Sequence, residues 1–343
     1  DAFIRSKARL TYQEAFAMLK GNDKGEVPST VREAWNLASI LRRNRYAKGA
    51  LDLDFPEVRA VMDKDGRVTG IITEEYDESH QLIEECMLAA NEAVALALKN
   101  GNRPTIYRVH EEPDSSKLFE FGQLCKLYGY PVHDIGQRQY LNELMKSIKG
   151  SPDEQLLKLA LLKSLMRARY DTEPLGHYGL ATPNYCHFTS PIRRYPDLAI
   201  HRIMTDMLKG TEKETMILRY TDFAERASKQ SSEREVIAMQ IERKAEDCYK
   251  AEYARRHLGE CYEGTISGVT QRGLFIELDN GVEGFVPASS LTPSGTSLTE
   301  GVRLTDPASG KTWSLGDKMM ITIVRADVNL GKIDFEVAPA AKA

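Results

Sequence analysis

Two hydrophobic periods run along this chain, and the change from one to the other divides it near residue 259. Ahead of that point the helical period dominates. Residues 3–12 are basic and apolar and continue helix-like through Ala15-Phe16, and residues 21–28 read as a loop. The pattern over 29–46 predicts a helix with Leu37, Ile40 and Leu41 inward. Arg42, Arg43 and Arg45 lie at its C-terminal end, where the helix dipole favours cations. Residues 58–62 and 67–72 flank Lys64-Asp65-Gly66 and predict a β-hairpin, because Asp-Gly supplies the positive-φ turn. A helix over 79–99, a strand over 105–110, and helices over 116–127, 137–148 and 153–169 follow, then a loop over 171–185. Ser232 and Glu235 have capping-box spacing and predict the start of a long charged helix that stops at Gly259.

Beyond residue 259 the period shortens to two. Runs at 261–270, 273–279, 281–287, 319–327 and 331–337, separated by glycine turns, predict a small five-stranded barrel. The expected organisation is an α+β chain: a mixed helix-sheet domain over 1–258, a barrel over 259–338, and a tail over 339–343.

One stretch obeys neither period: His187-Phe188-Thr189-Ser190-Pro191-Ile192-Arg193-Arg194-Tyr195-Pro196-Asp197-Leu198. Its two prolines exclude a regular helix or a central strand. After Pro196 an amphipathic pattern (Leu198, Ile200, Ile203, Met204, Met207, Leu208) runs to Lys209-Gly210, so a helix starts at proline and ends at glycine. A short basic loop thus enters a helix N-terminus. Backbone N–H groups, the dipole and the arginine forks all favour a bound anion there, a phosphate above all. A solvated Arg-Arg turn is the ordinary alternative.

Composition narrows the picture. The chain of 343 residues has room for a large domain and a small one, and its net charge of −4 does not advertise nucleic-acid binding. From 259 onward, seven Lys/Arg stand against eleven Asp/Glu, so RNA binding requires a local basic track. Five cysteines (Cys86, Cys125, Cys186, Cys248, Cys261) are scattered without a CxxC pair, which supports neither a zinc site nor a disulfide framework. No apolar run reaches membrane-span length and no secretory signal appears, so the cytoplasm is the expected location and no membrane partner is expected. The start at Asp1 without a methionine suggests a processed or truncated polypeptide.

Several side chains are candidates for chemistry. Projected at about 100° per residue, Ile83, Cys86, Ala90, Val94 and Ala97 share the arc expected to be buried. Glu85 falls on the opposite, polar face and reads as solvated; Glu84 lies at the margin and reads as the acid that points into a crevice. Tyr12 suits stacking on a nucleotide, or a half-buried place in the core. Ala50-Leu51-Asp52-Leu53-Asp54 alternates like a strand, which puts Asp52 and Asp54 on one face. Two such carboxylates can hold Mg²⁺, although a polar strand face is the plainer reading. His110 and His177 read as structural.

The 187–198 stretch, with Ala199-Ile200-His201-Arg202 after it, resembles the signature of the ribonuclease II / ribonuclease R family in its RNB catalytic domain. Ser6-Lys7-Ala8-Arg9-Leu10-Thr11-Tyr12 and Glu84-Glu85-Cys86-Met87-Leu88-Ala89-Ala90-Asn91 are similar to further motifs of that family. The resemblance implies a 3′→5′ exoribonuclease that hydrolyses single-stranded RNA to nucleoside 5′-monophosphates with Mg²⁺. It implies a phosphate contact for Arg193, a place at the RNA 3′ end for Glu84 and substrate positioning for Tyr12. Leu53 falls near the terminal-base clamp, where the family often has an aromatic or bulky apolar residue. Ser190 and Arg194 join the RNA-binding loop, with Arg194 and Asp197 also able to fix it. The family's metal-binding aspartates lie upstream of the Tyr12 motif, so the Mg²⁺ ligands are expected on an N-terminal segment absent from this sequence, which becomes a partner of it.

Gly273-Leu274-Phe275-Ile276-Glu277, Gly284-Phe285-Val286-Pro287 and Leu315-Gly316-Asp317 resemble the OB-fold RNA-binding module first known as a repeat in a ribosomal protein. Phe275 is its candidate stacking residue. Arg272 stands where an aromatic is common and Pro287 where histidine is common. Two functions therefore compete: the C-terminal portion of an exoribonuclease, and a catalytically inactive RNA-binding or scaffolding protein derived from one.

Overall fold

The computed structural model describes residues 3–53, 55, 57–74, 76–292, 295–299 and 303–338. In chain order the first elements are α1 (Tyr12–Lys20), α2 (Glu26–Ala47), β1 (Glu57–Met62), β2 (Val68–Glu74), α3 (Glu78–Asn100) and β3 (Tyr107–Val109). Then come α4 (Ser115–Leu127), α5 (Arg138–Ile148), α6 (Glu154–Ser164), β4 (Arg169–Asp171), α7 (Tyr195–Leu208) and α8 (Lys213–Arg256). The last part holds β5 (Cys261–Thr270), β6 (Gly273–Leu278), β7 (Glu283–Pro287), α9 (Ala288–Leu291), β8 (Ser297–Thr299), β9 (Arg303–Thr305), β10 (Thr312–Ser314), β11 (Lys318–Asp327) and β12 (Lys332–Val337). Two compact units result. One comprises Asp1–Asp54, Tyr76–Gly150 and Leu157–Val236; the other comprises Phe55–Glu75, Ser151–Leu156 and Ile237–Ala343. Among the described residues no helix is long and apolar enough to cross a membrane.

The first unit is built around the short antiparallel pair β3–β4. Ile106, Tyr107, Val109 and Tyr170 meet Ala95 and Leu98 of α3, Ala199, Ile200 and Ile203 of α7, and Met216, Tyr220, Ala224 and Ala227 of α8 in one buried cluster. α1 begins at a complete capping box, with Thr11 and Glu14 satisfying each other's backbone N–H groups.

Four expectations fail here. On α2, Leu37 and Ile40 are exposed, Leu41 is half-buried and Ala38 is the buried residue. On α3 the buried stripe is Leu82, Glu85, Leu88, Asn91, Ala95 and Leu98, while Ile83 and Cys86 are exposed. The apolar residues of α3 are spread around it, with Leu82 and Leu88 buried and Ile83 and Leu96 exposed, so the pattern alone does not select the covered face. Ser232 caps nothing: it lies inside α8, donates to the Ser228 carbonyl at 2.9 Å and accepts the Tyr170 N–H at 2.9 Å. Residues 50–53 form no strand, and Asp54 lies outside the described residues. In addition, α6 stops at Ser164, which leaves 169–171 free to form β4.

The second unit carries a closed barrel in the order β11-β12-β7-β6-β5. Its pairs are antiparallel except β12 with β7, where Asp334 lies opposite Phe285. Along β6, Leu274, Ile276 and Leu278 point inward while Phe275 and Glu277 point out. Phe335, Ile321, Ile323, Ile333 and Val286 complete the interior. Gly284 is required there, because a Cβ would meet the Phe335 ring at 2.5 Å. Ile71 of β2 and Ala251 and Ala254 of α8 pack against this barrel core. The five strands predicted from sequence are the five barrel strands. β8, β9 and β10, three residues each, form a separate small sheet. The tail 339–343 lies outside the described residues.

Candidate nucleic-acid site

Pro196 stands in the first turn of α7, where its missing N–H costs nothing. Asp197 follows and is fully buried. Its carboxylate accepts the Ser190 N–H at 2.8 Å and both arms of the Arg194 fork, Nε and Nη2, at 2.9 Å each. The Arg193 and Arg194 N–H groups both donate to the Ser190 carbonyl, at 3.3 and 3.0 Å. The loop is therefore folded back onto the helix it enters. Its two arginines separate: Arg194 is turned in and paired, whereas Arg193 is exposed and makes no side-chain hydrogen bond or ion pair among the described residues.

The upstream half of the loop is held by other elements. Asn91 of α3 accepts the Phe188 and Thr189 N–H groups at 2.9 and 3.2 Å and donates to the Tyr185 hydroxyl at 3.1 Å. His201 stacks on Phe188 with ring centroids 4.0 Å apart. His187 pairs with the Tyr170 hydroxyl at 2.9 Å; burial, then nearby Arg194 and Arg108, push its pKa down to about 2, so the ring is neutral.

A second cluster gathers at the N-terminal end of α3. The Tyr12 ring stacks on His80 at 3.8 Å with its own edge and outer side exposed. His80 is steadied by Asp77, the N-cap of α3, at 2.9 Å. Burial opposes ionisation of Asp77, but hydrogen bonds from Ser79 and His80 outweigh it and lower its pKa. Tyr76 donates to the Glu84 carboxylate, and the Arg42 guanidinium lies 3.7 Å from it. Tyr12 and Glu84 thus meet through His80 and Tyr76, two residues the sequence reading missed. The signal for His80 was its i,i+4 spacing to Glu84, which puts both on one helix face.

Glu85 is the acid that is buried, not the solvated one: it is 2% exposed and accepts Arg45 Nε at 3.1 Å, with Arg42 at 3.5 Å. Burial disfavours the Arg45 charge, and Glu85 more than restores it, so the guanidinium pKa is raised. Glu84 and Asn91 are seven residues apart, which places them on one face of α3 about 10 Å apart. The tyrosine–glutamate cluster and the basic loop therefore share a single supporting helix.

Leu53 is half-buried at the end of a segment tied down by the Leu51 N–H to the Gly179 carbonyl at 2.9 Å. Asp52 pairs with Lys149 at 3.0 Å; burial opposes its charge, but Lys149 outweighs that and lowers its pKa. Among the described residues no three His, Cys, Asp or Glu side chains converge on one point. His110 and His177 each accept a backbone N–H at Nδ1, from Gly179 and Leu180, and burial lowers both pKa values, that of His177 to about 3.

On the barrel, the Phe275 ring lies across Gly268 and 5.1 Å from the Phe285 ring, open to solvent on its outer side. Arg272 is exposed in the preceding turn. The next pair on that face is Glu277 opposite Glu283. Partial loss of water around Glu277, then the Glu283 charge, raise its pKa.

Residues 1–210 match the RNB domain and residues 257–338 the S1 RNA binding domain. Ribonuclease R of Aquifex aeolicus is 36% identical over 347 residues, which take in 98% of this chain and 49% of that protein. Ribonuclease R 1 of Lactococcus lactis is 35% identical over 349 residues, 99% of this chain and 43% of that one. RNase R of Mycoplasma genitalium, solved in complex with ribose-methylated single-stranded RNA, matches the fold with a TM-score of 0.88 at 23% identity, over 95% of this chain and 53% of that one. The chain spans about half the length, or a little less, of the curated relatives it matches.

Proposed function

The chain belongs to the ribonuclease II / ribonuclease R family, and on that premise we propose that it works as part of a cytoplasmic 3′→5′ exoribonuclease that converts single-stranded RNA to nucleoside 5′-monophosphates. The observation that carries this reading is Arg193: exposed, unpaired among the described residues, and presented by a loop whose other arginine is locked to buried Asp197. Its fork receives the phosphate nearest the RNA 3′ end. Tyr12, backed by His80, offers its free face to the terminal nucleotide, and Glu84 accepts a hydrogen bond from a ribose hydroxyl. Leu53 contacts the terminal base, Ser190 lines the loop, and Phe275 with Arg272 guides the strand on the barrel. Nucleases of this family are generally divalent-metal dependent. We assign the Mg²⁺ ligands to another segment of the same protein, in keeping with the family resemblance, which puts the metal-binding aspartates upstream of the Tyr12 motif.

Residues 1–343 alone, with Mg²⁺ and a 3′-tailed RNA, are expected to release no mononucleotide above background, while the whole protein does. Release by this chain alone would return the ligands to it and point at Asp52 and Asp54. A whole protein that binds the RNA and leaves it intact would favour the scaffolding function instead.

The barrel face makes a separate prediction. Glu277 and Glu283 repel a phosphate backbone beside the Phe275 platform. Because the Glu277 pKa is raised, it takes up a proton at higher pH than an ordinary carboxylate, and RNA affinity rises as pH falls from neutrality. Glu277→Gln is expected to bind RNA about two- to five-fold more tightly at neutral pH and low salt, and to gain less on acidification. Fluorescence anisotropy at two pH values checks both.

A further inference from the structure

We infer that Asn91 is a positioning residue for Arg193, clamping the loop that carries it to the helix that carries Glu84. The inference rests on the reading of Arg193 proposed above. Three consecutive loop N–H groups, those of Phe188, Thr189 and Ser190, donate to side chains: the first two to Asn91 of α3, the third to Asp197 of α7. Pro191 follows at once and contributes no N–H, and residues 187–190 belong to no strand. The path into Arg193 is therefore set by two buried side chains.

Asp197 has a visible partner in the basic motif, Arg194. Asn91 lies outside that motif and is 2% exposed. Its amide has one orientation that satisfies all its neighbours: the oxygen accepts two N–H groups while the nitrogen donates to the Tyr185 hydroxyl at 3.1 Å. Its own carbonyl also accepts the Cys186 thiol at 3.3 Å. One residue thus fixes 185–189 from both its side chain and its main chain. Leucine has a similar size and can do none of the side-chain work. Aspartate can accept from both N–H groups and from a turned Tyr185 hydroxyl, and so keeps most of the clamp.

In the whole protein, Asn91→Leu is expected to slow single-turnover RNA degradation about 100-fold, the usual cost of a misplacement near 1 Å, with RNA affinity changed less than about three-fold. Asn91→Asp is expected to recover most of that loss. Hydrogen exchange at the Phe188 and Thr189 amides should accelerate in Asn91→Leu and stay slow in Asn91→Asp. The double variant with Arg193→Ala should be no slower than Arg193→Ala alone, because the clamp acts through that arginine. Fully additive losses, or equal losses of affinity and turnover, would overturn the inference. Should Asn91→Leu fail to fold, Tyr185→Phe removes one bond of the clamp and is expected to lower turnover several-fold in the same non-additive pattern; an additive loss or an unchanged rate overturns the inference. If Arg193→Ala slows degradation and Asn91→Leu does not, the inference fails alone. If Arg193→Ala itself leaves degradation unchanged, the proposed function of the loop fails and takes the inference with it.

Discussion

Arg193→Ala in the whole protein is expected to slow single-turnover RNA degradation by about 100- to 1000-fold, the range for losing one pre-aimed electrostatic donor. RNA affinity should change by less than about five-fold, because many phosphate contacts along the strand supply it. The asymmetry comes from the loop. Arg193 is exposed and unpaired among the described residues, while everything around it is fixed: the Ser190 carbonyl takes its N–H, and Asp197 takes the Ser190 N–H. The backbone beneath the fork is fixed, so only the side chain itself has to be ordered on meeting a phosphate. Arg193→Lys should recover little, since a point charge does not reproduce two parallel hydrogen bonds. Arg194→Ala should behave in the opposite sense. It strands a fully buried carboxylate, Asp197, and is expected to cost about 3 kcal/mol of stability. Urea unfolding beside single-turnover kinetics at one salt concentration separates the two arginines. Equal loss of binding and turnover in Arg193→Ala would make it an ordinary backbone contact.

What could be read from the sequence follows how local each cause is. The barrel strands were legible because β5 and β11 run for ten residues each and alternate, with glycine turns between strands. β8, β9 and β10 are three residues long and show no period. The basic loop was legible because proline and glycine punctuate it, and that punctuation is a property of those residues alone. Tyr76 and His80 were not tied to Tyr12 in advance, since only the packing of α1 on α3 brings them together. Ser232 misled because Ser-x-x-Glu is a cap only where a helix begins. Here its hydroxyl bonds to the Tyr170 main chain, and Glu235 accepts Arg108 at 2.7 Å.

The largest correction, on α3, carries the second large expected effect. Glu85→Ala should destabilise the first unit by about 3–5 kcal/mol, the cost of leaving a buried charge without its partner. Arg45 is the charge left behind: its fork closes on both oxygens of Glu85, and Arg42 stands at 3.5 Å from one of them. Both guanidinium groups also lie on the Tyr46 ring, at 4.9 and 4.7 Å, so neither has an easy way out to water. A loss of that size is a large share of the stability of an ordinary domain. Glu84→Gln, one position away, should cost under about 1 kcal/mol, because that side chain is one-third exposed and its amide can still accept from Tyr76. The adjacent acids thus differ in setting: Glu85 fastens α3 to α2, and Glu84, bonded by Tyr76 and near Arg42, stays at the surface. Urea unfolding of the two single variants decides the matter. Glu85→Met with Arg45→Met should recover much of the loss, because an apolar pair of similar size leaves no stranded charge. Equal stability of Glu85→Ala and Glu84→Gln would mean the buried pair does not fasten the helices.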